Sequence, residues 1–548
     1  MAHALAGKPV QEQDIIDVQT IVDAYFDNVP DMTNPTQLVS FGTSGHRGTS
    51  VDGTFTDLHV AAITQAICDG RKQFGATGPI FVGQDTHALS QPALVTVLEV
   101  LAGNGVTAMV DCDMAFVPTP SVSRAIIRYN EEHDDKADGI IITPSHNPPD
   151  NGGIKYNTII GGPADTVVTK WIEMRANEYL TAYCESEDFK RISIDNIEPS
   201  AQVPYDYKGL YVEELGDVIN MEAIKAAGPK VLVDTLGGSG ASYWNAIKER
   251  YGLDLTIIHD DYDPTFSFMT YDHDGKVRMD CSSTYVMASV INRIGDFDLA
   301  VGNDPDYDRY GIVVSSGLIS ANTFLTLAAR YLFTTRGWKN KGVGKTVVCT
   351  TMIDKWAADA ETPVFEVPVG FKYFSQFLFD GAIGIGGEES AGASFLKKDG
   401  TVWTTDKDGM IMALLSMEIM AVMGKSALKM ADEFVEEFGN PSFGRIDAPC
   451  KKEQKQILKQ MSAELITATT VDGDPITNIR TTSLYNDMPI DGVRVETDKG
   501  WFVARPSGTE DLYKIYGESY KGDLGLVALL TAGEEIVNAA LNGTIETE

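Results

Sequence analysis

A serine enclosed by prolines is the first residue in this chain whose surroundings promise chemistry. The apolar stretch 139–142 runs directly into Thr143-Pro144-Ser145-His146-Asn147-Pro148-Pro149. Proline supplies no ladder donor and fixes φ, so the strand must stop there and the Ser145 hydroxyl must sit on a stiff turn. With His146 beside it and Lys155 ten residues on, Ser145 is a candidate nucleophile. Taken alone, the segment also reads as an ordinary turn.

A second segment spans residues 298–314, where two apolar runs flank a loop that presents Asp304, Asp306 and Asp308. Carboxylates at alternate positions repel one another unless a cation lies among them. Hard oxygen ligands select Mg²⁺ or Ca²⁺, and Mg²⁺ is the usual companion of phosphates. An EF-hand starting at Asp304 needs Gly at its sixth position and Glu at its twelfth, where Arg309 and Ser315 stand. An aspartyl-phosphatase motif needs Thr or Val where Asp308 stands.

Two further segments offer ligands for a phosphorylated sugar. Gly386-Gly387-Glu388-Glu389-Ser390 and the nearby 403–409 place acceptors and a hydroxyl on a closely approachable backbone. In Ala504-Arg505-Pro506-Ser507-Gly508-Thr509-Glu510, Arg505 can fork onto a phosphate while Ser507, Thr509 and the Gly508 amide donate to its other oxygens, with Lys514 on the following strand. Gly344-Lys345-Thr346 imitates the end of a P-loop but lacks the first glycine and precedes an expected strand at 347–349. Residues 236–240 lack the full dinucleotide spacing and read as a turn between strand and helix.

These loops must be held by elements, and the chain supplies alternating ones. Short apolar runs at 80–82, 107–110, 140–142, 231–233, 255–258 and 299–301 predict buried strands. Amphipathic stretches at 60–74, 91–104, 206–219 and 239–251 predict helices between them, which is layered α/β organisation. Turn clusters near 200–204, after 313–317 and at 438–442 suggest the seams. The expected division is a polar, partly helical lead-in (1–40), α/β domains over 41–204, 205–317 and 318–440, and a C-terminal domain over 441–548. That last piece has an antiparallel texture and a closing helix over 524–541.

Composition narrows the partners. With 78 acidic against 44 basic residues the net charge is −34, which argues against nucleic acid and against an anionic membrane. An anionic substrate then requires a local island of cations, and the Arg505 segment is one. No apolar run approaches the roughly 18 residues of a membrane span. Six scattered cysteines without a CxxC pair suit reduced thiols in a cytoplasm.

The four loops, in this order, resemble the α-D-phosphohexomutase family, and within it the branch of bacterial phosphoglucomutases. The match runs from residues 41–48 to residues 513–519, nearly the whole chain. The resemblance implies three related α/β domains and a smaller C-terminal α+β domain around a cleft. It implies that Ser145 carries a phosphoryl group and joins Asp304, Asp306 and Asp308 in binding Mg²⁺. Arg47, Lys155 and His146 are then candidates for charge stabilisation and proton transfer, and Arg309 contacts the same phosphate. Glu388, Ser390 and Lys407 hold the sugar; Arg505, Ser507, Gly508, Thr509 and Lys514 hold the phosphate that is not reacting. The implied reaction interconverts glucose 1-phosphate and glucose 6-phosphate through glucose 1,6-bisphosphate, with phosphomannomutase or dual specificity as the alternative. The implied partner is a phosphosugar and, by family analogy, a second copy in a homodimer.

Overall fold

Three consecutive isoleucines, Ile140 to Ile142, have no exposed surface at all, as expected of a strand covered on both faces. They belong to the first of the sheets in the computed structural model, which describes residues 2–42, 44–184, 189–506 and 512–545. Its strands are β1 (His46–Thr49), β2 (Ile80–Gln84), β3 (Ala108–Asp111), β4 (Asp138–Ile142), β5 (Asn151–Asn157) and β6 (Gln202–Tyr205), ordered β1-β5-β4-β2-β3-β6. The pairs β2–β4, β2–β3 and β3–β6 are parallel, while β5 turns back antiparallel to β4 and carries β1 at the edge. The β4–β5 connection is the serine loop, so the nucleophile candidate sits at the carboxyl end of a parallel strand. That is where open α/β sheets place their sites. Residues 202–205, read above as part of a seam, pair with β3 instead; Pro204 is accommodated because β6 is an edge strand.

The second sheet has strands β7 (Val231–Asp234), β8 (Leu255–Ile258), β9 (Leu299–Gly302), β10 (Gly311–Val314) and β11 (Gly317–Leu318), ordered β11-β10-β9-β7-β8. The aspartate loop joins β9 to its antiparallel neighbour β10. Both sheets lie in one compact unit, residues 1–321 with 375–381 and 390–428. The lead-in is anchored there: residues 3–10 hydrogen-bond along residues 269–273, and the helix Val18–Asp27 buries Ile21 and Tyr25.

The second unit comprises residues 322–374, 382–389 and 429–548. In it the strand Gly342–Thr346 runs parallel to Val364–Val367 and Ile383–Gly387. The Gly344-Lys345-Thr346 triplet therefore lies within this strand, not ahead of one at 347–349. Its lysine is fully buried against Asp354, with no phosphate role. An antiparallel sheet, ordered Ser442–Pro449, Leu512–Ser519, Gly500–Pro506, Pro489–Thr497, Asp474–Thr482 and Thr470–Val471, forms the C-terminal part.

Against that sheet packs the helix Gly522–Ile545. Contrary to the expectation above, its segment Gly522–Asn542 is long and apolar enough to cross a membrane. Glu534 and Glu535 interrupt the apolar run in sequence, which hides its length from a search for unbroken stretches. Leu529, Leu530, Val537 and Leu541 are buried in the C-terminal core, while Leu524 and Val527 are exposed.

Candidate active site

Ser145 adopts a left-handed backbone, φ +62°, which a residue with a Cβ accepts only when its surroundings over-determine it. Prolines on both sides remove competing conformations. Behind the loop β5 approaches so closely that a Cβ on Gly153 would lie 2.2 Å from the Thr143 carbonyl oxygen. The result is a buried hydroxyl, 1% exposed, whose Oγ lies 2.9 Å from Asp304 Oδ2 and 3.3 Å from His146 Nδ1.

The aspartate loop is built with similar strain. Tyr307 is also left-handed, φ +63°, and its ring lies where a Cβ on Gly240 would come within 2.4 Å. Ser239 donates through both N–H and Oγ to the Pro305 carbonyl, each at 2.8 Å. The glycine turn at 236–240 thus shapes the aspartate loop from below, a role its spacing did not reveal. From the other side Gly409 comes so close that a Cβ there would lie 2.0 Å from the Arg309 carbonyl oxygen.

Between these supports Asp304, Asp306 and Asp308 are all buried, and each offers an oxygen within 4.8 Å of the others. Burial first, then Asp306 and Asp308, push the Asp304 carboxyl well above the usual carboxylate range. Asp308 goes the other way: burial opposes its charge, but Lys155, Lys407 and Arg309 outweigh burial and hold it well below. Lys155 Nζ bonds Asp306 at 2.6 Å and Asp308 at 3.1 Å, and Lys407 Nζ reaches Asp308 at 2.7 Å. Asp306 Oδ1 and Asp308 Oδ1 are buried with no hydrogen-bond partner. Orphaned buried oxygens beside a hydroxyl, all hard donors, fit a small divalent cation.

Arg309, Arg47 and His146 surround the same spot. Arg309 lies 3.8 Å from both Asp308 and Asp280, and its N–H donates to Asp304 Oδ1 at 2.9 Å. Arg47 touches Ser44 Oγ at 3.4 Å and leaves its Nε buried without a partner. Burial depresses its pKa, while Asp306 pulls in the opposite direction and Arg309 adds to the depression. Burial, and next Arg309, push the His146 imidazole well below its usual pKa, whereas burial of Lys155 is outweighed by Asp306 and Asp308, which raise it. Ser390 belongs to this unit and is half-buried.

The other candidates belong to the second unit. Glu388 is buried at the end of the strand Ile383–Gly387 and accepts from the Gly370 N–H at 3.1 Å. Arg505 stands directly across from Lys514 in neighbouring strands. Ser507, Gly508 and Thr509 lie outside the described residues.

Several site residues have no motif to announce them. Thr119 binds Asp306 through Oγ1 at 2.8 Å and through its N–H to the Asp306 carbonyl at 2.9 Å. Asp280 faces His146 at 4.0 Å as well as Arg309. Asp408 caps the helix Gly409–Met423 and accepts from Tyr211 and Trp403, both at 2.8 Å, which fixes the backbone beside Lys407.

A serine on a strained turn, a buried carboxylate triad that could hold a metal ion and several converging cations are the parts that metal-assisted phosphoryl transfer requires. Comparison with known proteins gives the lineage. Family models of phosphoglucomutase/phosphomannomutase match domain I at residues 38–182, domain II at 210–317, domain III at 320–438 and the C-terminal domain at 447–524. A phosphoglucomutase of Komagataeibacter xylinus is 46% identical over 539 residues, 97% of each chain. Phosphoglucomutase 1 of Saccharomyces cerevisiae is 26% identical over 526 residues, 88% of each chain. The open form of the Paramecium phosphoglucomutase parafusin shares the fold, with TM-score 0.72 at 20% identity over 94% of this chain and 96% of that one. The chain belongs to the phosphoglucomutase/phosphomannomutase family. Its architecture is three α/β/α domains followed by a C-terminal domain.

Proposed function

We propose that this protein is a phosphoglucomutase, an isomerase that interconverts glucose 1-phosphate and glucose 6-phosphate through a phosphorylated Ser145 and glucose 1,6-bisphosphate. The observation that carries the reading is the Ser145 hydroxyl, fixed on a left-handed turn 2.9 Å from a fully buried aspartate triad. Identity of 46% to a phosphoglucomutase over 97% of the chain supports the same activity.

Asp304, Asp306 and Asp308, with an oxygen on Ser145, would hold Mg²⁺, which when bound neutralises charge on the transferring phosphoryl group. Ser145 gives its phosphoryl group to O6 of glucose 1-phosphate: the Oγ–P bond breaks, the O6–P bond forms, and the O6 proton passes to the leaving Ser145 Oγ. After the bisphosphate turns end for end, the O1–P bond breaks, the Oγ–P bond re-forms, the Oγ proton passes to O1, and glucose 6-phosphate leaves. Arg47, Lys155 and Arg309 supply fixed positive charge where the equatorial oxygens gather negative charge. Among the groups that can move the proton, Lys155 is held charged by its two aspartates, while burial and Arg309 keep His146 neutral beside Oγ. Glu388 and Ser390 would take sugar hydroxyls, and Lys407 would add a basic contact to the sugar. Arg505 and Lys514, together with Ser507, Gly508 and Thr509, clamp the distal phosphate. We take the domain division at residues 41, 205, 318 and 441 as the working one, and a homodimer in the cytoplasm as its setting.

The test is conversion of glucose 1-phosphate to glucose 6-phosphate with Mg²⁺ and trace bisphosphate, beside Ser145→Ala and with mannose 1-phosphate as competitor. Conversion that needs the bisphosphate and is lost in the variant supports the proposal. Free phosphate without isomer indicates a hydrolase, and equal use of mannose 1-phosphate indicates dual specificity.

A further inference from the structure

The strained conformation of Ser145 is held from behind by residues outside the aspartate triad. The Ser145 N–H donates to Thr143 Oγ1 at 2.7 Å, and the Thr143 hydroxyl donates onward to Asp85 Oδ2 at 2.6 Å. A hydroxyl has one proton, so accepting from one neighbour and donating to the other locks its rotor. Asp85 has no exposed surface. It also accepts from Ser90 Oγ at 2.5 Å, the His87 N–H at 3.0 Å and His87 Nδ1 at 2.8 Å.

His87 closes the chain. Its Nε2 lies 3.0 Å from the Asn147 carbonyl, two residues beyond Ser145. Carboxylate and carbonyl are both pure acceptors, so both ring nitrogens carry protons and the ring is an imidazolium. Asp85 and His87 thus grip the turn on both sides of the nucleophile, one through Thr143 and the other through Asn147. Asp85 itself follows β2 and donates its N–H to the Ile142 carbonyl at 3.0 Å, so the grip is rooted in the parallel sheet.

We infer that Thr143, Asp85 and His87 are positioning residues that hold Ser145 Oγ in line for phosphoryl transfer. The inference rests on the mutase reading above. A turn at φ +62° relaxes when its N–H loses the Thr143 oxygen, and a shift of about 1 Å in a reacting atom costs roughly 100-fold in rate. Substrate is held by other residues, so KM is not the quantity that moves.

The experiment compares wild type, Thr143→Val, Thr143→Ser and His87→Gln for kcat and KM with glucose 1-phosphate, and for the single-turnover rate of Ser145 phosphorylation by glucose 1,6-bisphosphate. Thermal melts establish that each variant is folded. Thr143→Val keeps the shape and removes the hydroxyl; its kcat and phosphorylation rate fall about 100-fold while KM stays within about threefold. Thr143→Ser restores the hydroxyl and recovers kcat to within about fivefold, which a purely packing role would not produce. His87→Gln loses about tenfold in kcat with KM unchanged, and it decides the matter if the valine variant does not fold. Unimpaired kcat in a folded Thr143→Val (or, failing that, in His87→Gln) overturns the inference, as does a rise in KM at constant kcat. A wild-type chain that isomerises nothing overturns the functional reading instead, and this inference with it.

Discussion

Three carboxylates packed within one cation's reach repel one another, and Asp304 is held in a setting that disfavours its charge. Burial and the two neighbouring aspartates raise its pKa, whereas Asp308 is compensated by Lys155, Lys407 and Arg309. Replacing Asp304 with asparagine keeps the shape and removes the disfavoured charge. Asp304→Asn should therefore melt about 2–4 °C higher than wild type in chelator and lose about 100-fold or more in Mg²⁺-dependent turnover. A lower melting temperature in chelator would mean that Asp304 is a structural residue. The same contrast explains which residues could be read in advance. Ser145 and the aspartates announce themselves because their types and spacing are local. Asp85, His87 and Thr119 do not, because their partners lie 58, 60 and 187 residues away in sequence and a buried threonine or histidine looks like any other core polar group. Asp85 in particular stands two residues before His87, with nothing in that spacing to point to Thr143.

At the scale of elements, strands were legible where apolar runs are buried on both faces, as in β4 and β9. They were not legible where a proline or glycine breaks up that run, as in β6 and Gly342–Thr346. There tertiary pairing decides, because an edge position needs no donor from Pro204 and the Phe365 ring fills the space beside Gly342. The strand Val364–Val367 shows the same principle for charge. Glu366, 2% exposed, receives Arg480 in a bidentate pair at 2.5 and 2.9 Å and the Leu484 N–H at 3.2 Å. Arg480 and Arg494 then share Glu496, and Arg494 donates to the Val347 carbonyl. Burial raises the Glu366 pKa, but Arg480 and the cations behind it win and bring it down to about 2 from 4.5. A depressed carboxyl contributes stability above its unfolded pKa and loses it as pH falls through the folded one. The contribution of Glu366 should thus be complete above pH 4.5 and disappear toward about pH 2. Glu366→Gln should destabilise the second unit by about 2–3 kcal/mol at neutral pH and flatten the acid limb of its urea stability profile over that window. Parallel acid limbs for variant and wild type would refute the assignment. In the C-terminal sheet, Arg505 and Lys514 stand opposite each other on adjacent strands, which concentrates positive charge on a rigid support. Arg505→Ala should raise the KM for glucose 1-phosphate by about tenfold or more while Ser145 remains phosphorylatable by the bisphosphate. Steady-state kinetics with an unaltered KM would remove Arg505 from the clamp.

The whole molecule sets a field against which these local devices work. A net charge of −34, from 78 acidic and 44 basic residues, repels both itself and an anionic substrate. The cations that matter are withdrawn from that field: Lys155 and Lys407 are buried, and Arg309 is largely covered. Exposed pairs such as Lys170–Glu173 and Arg175–Glu178 contribute about 0–1 kcal/mol each and weaken with salt. Against these pairs stands an excess of 34 acidic over basic residues. Added salt shortens the screening length from about 30 Å at ~0.01 M to about 3 Å at ~1 M, so it suppresses the long-range repulsion throughout that range. It leaves the buried contacts around Asp308 and Glu366 largely untouched. Two opposing effects therefore follow from one titration, and the repulsion is the larger because acidic residues outnumber basic ones by 34. The melting temperature should rise as KCl is increased from about 0.01 to about 0.5 M, by about 1 °C for each kcal/mol of repulsion screened in a chain of this length. Calorimetry at constant pH in chelator, so that no divalent ion contributes, reads this directly. A melting temperature that falls over the same range would mean that the surface pairs, and not the net charge, dominate the electrostatics of the fold.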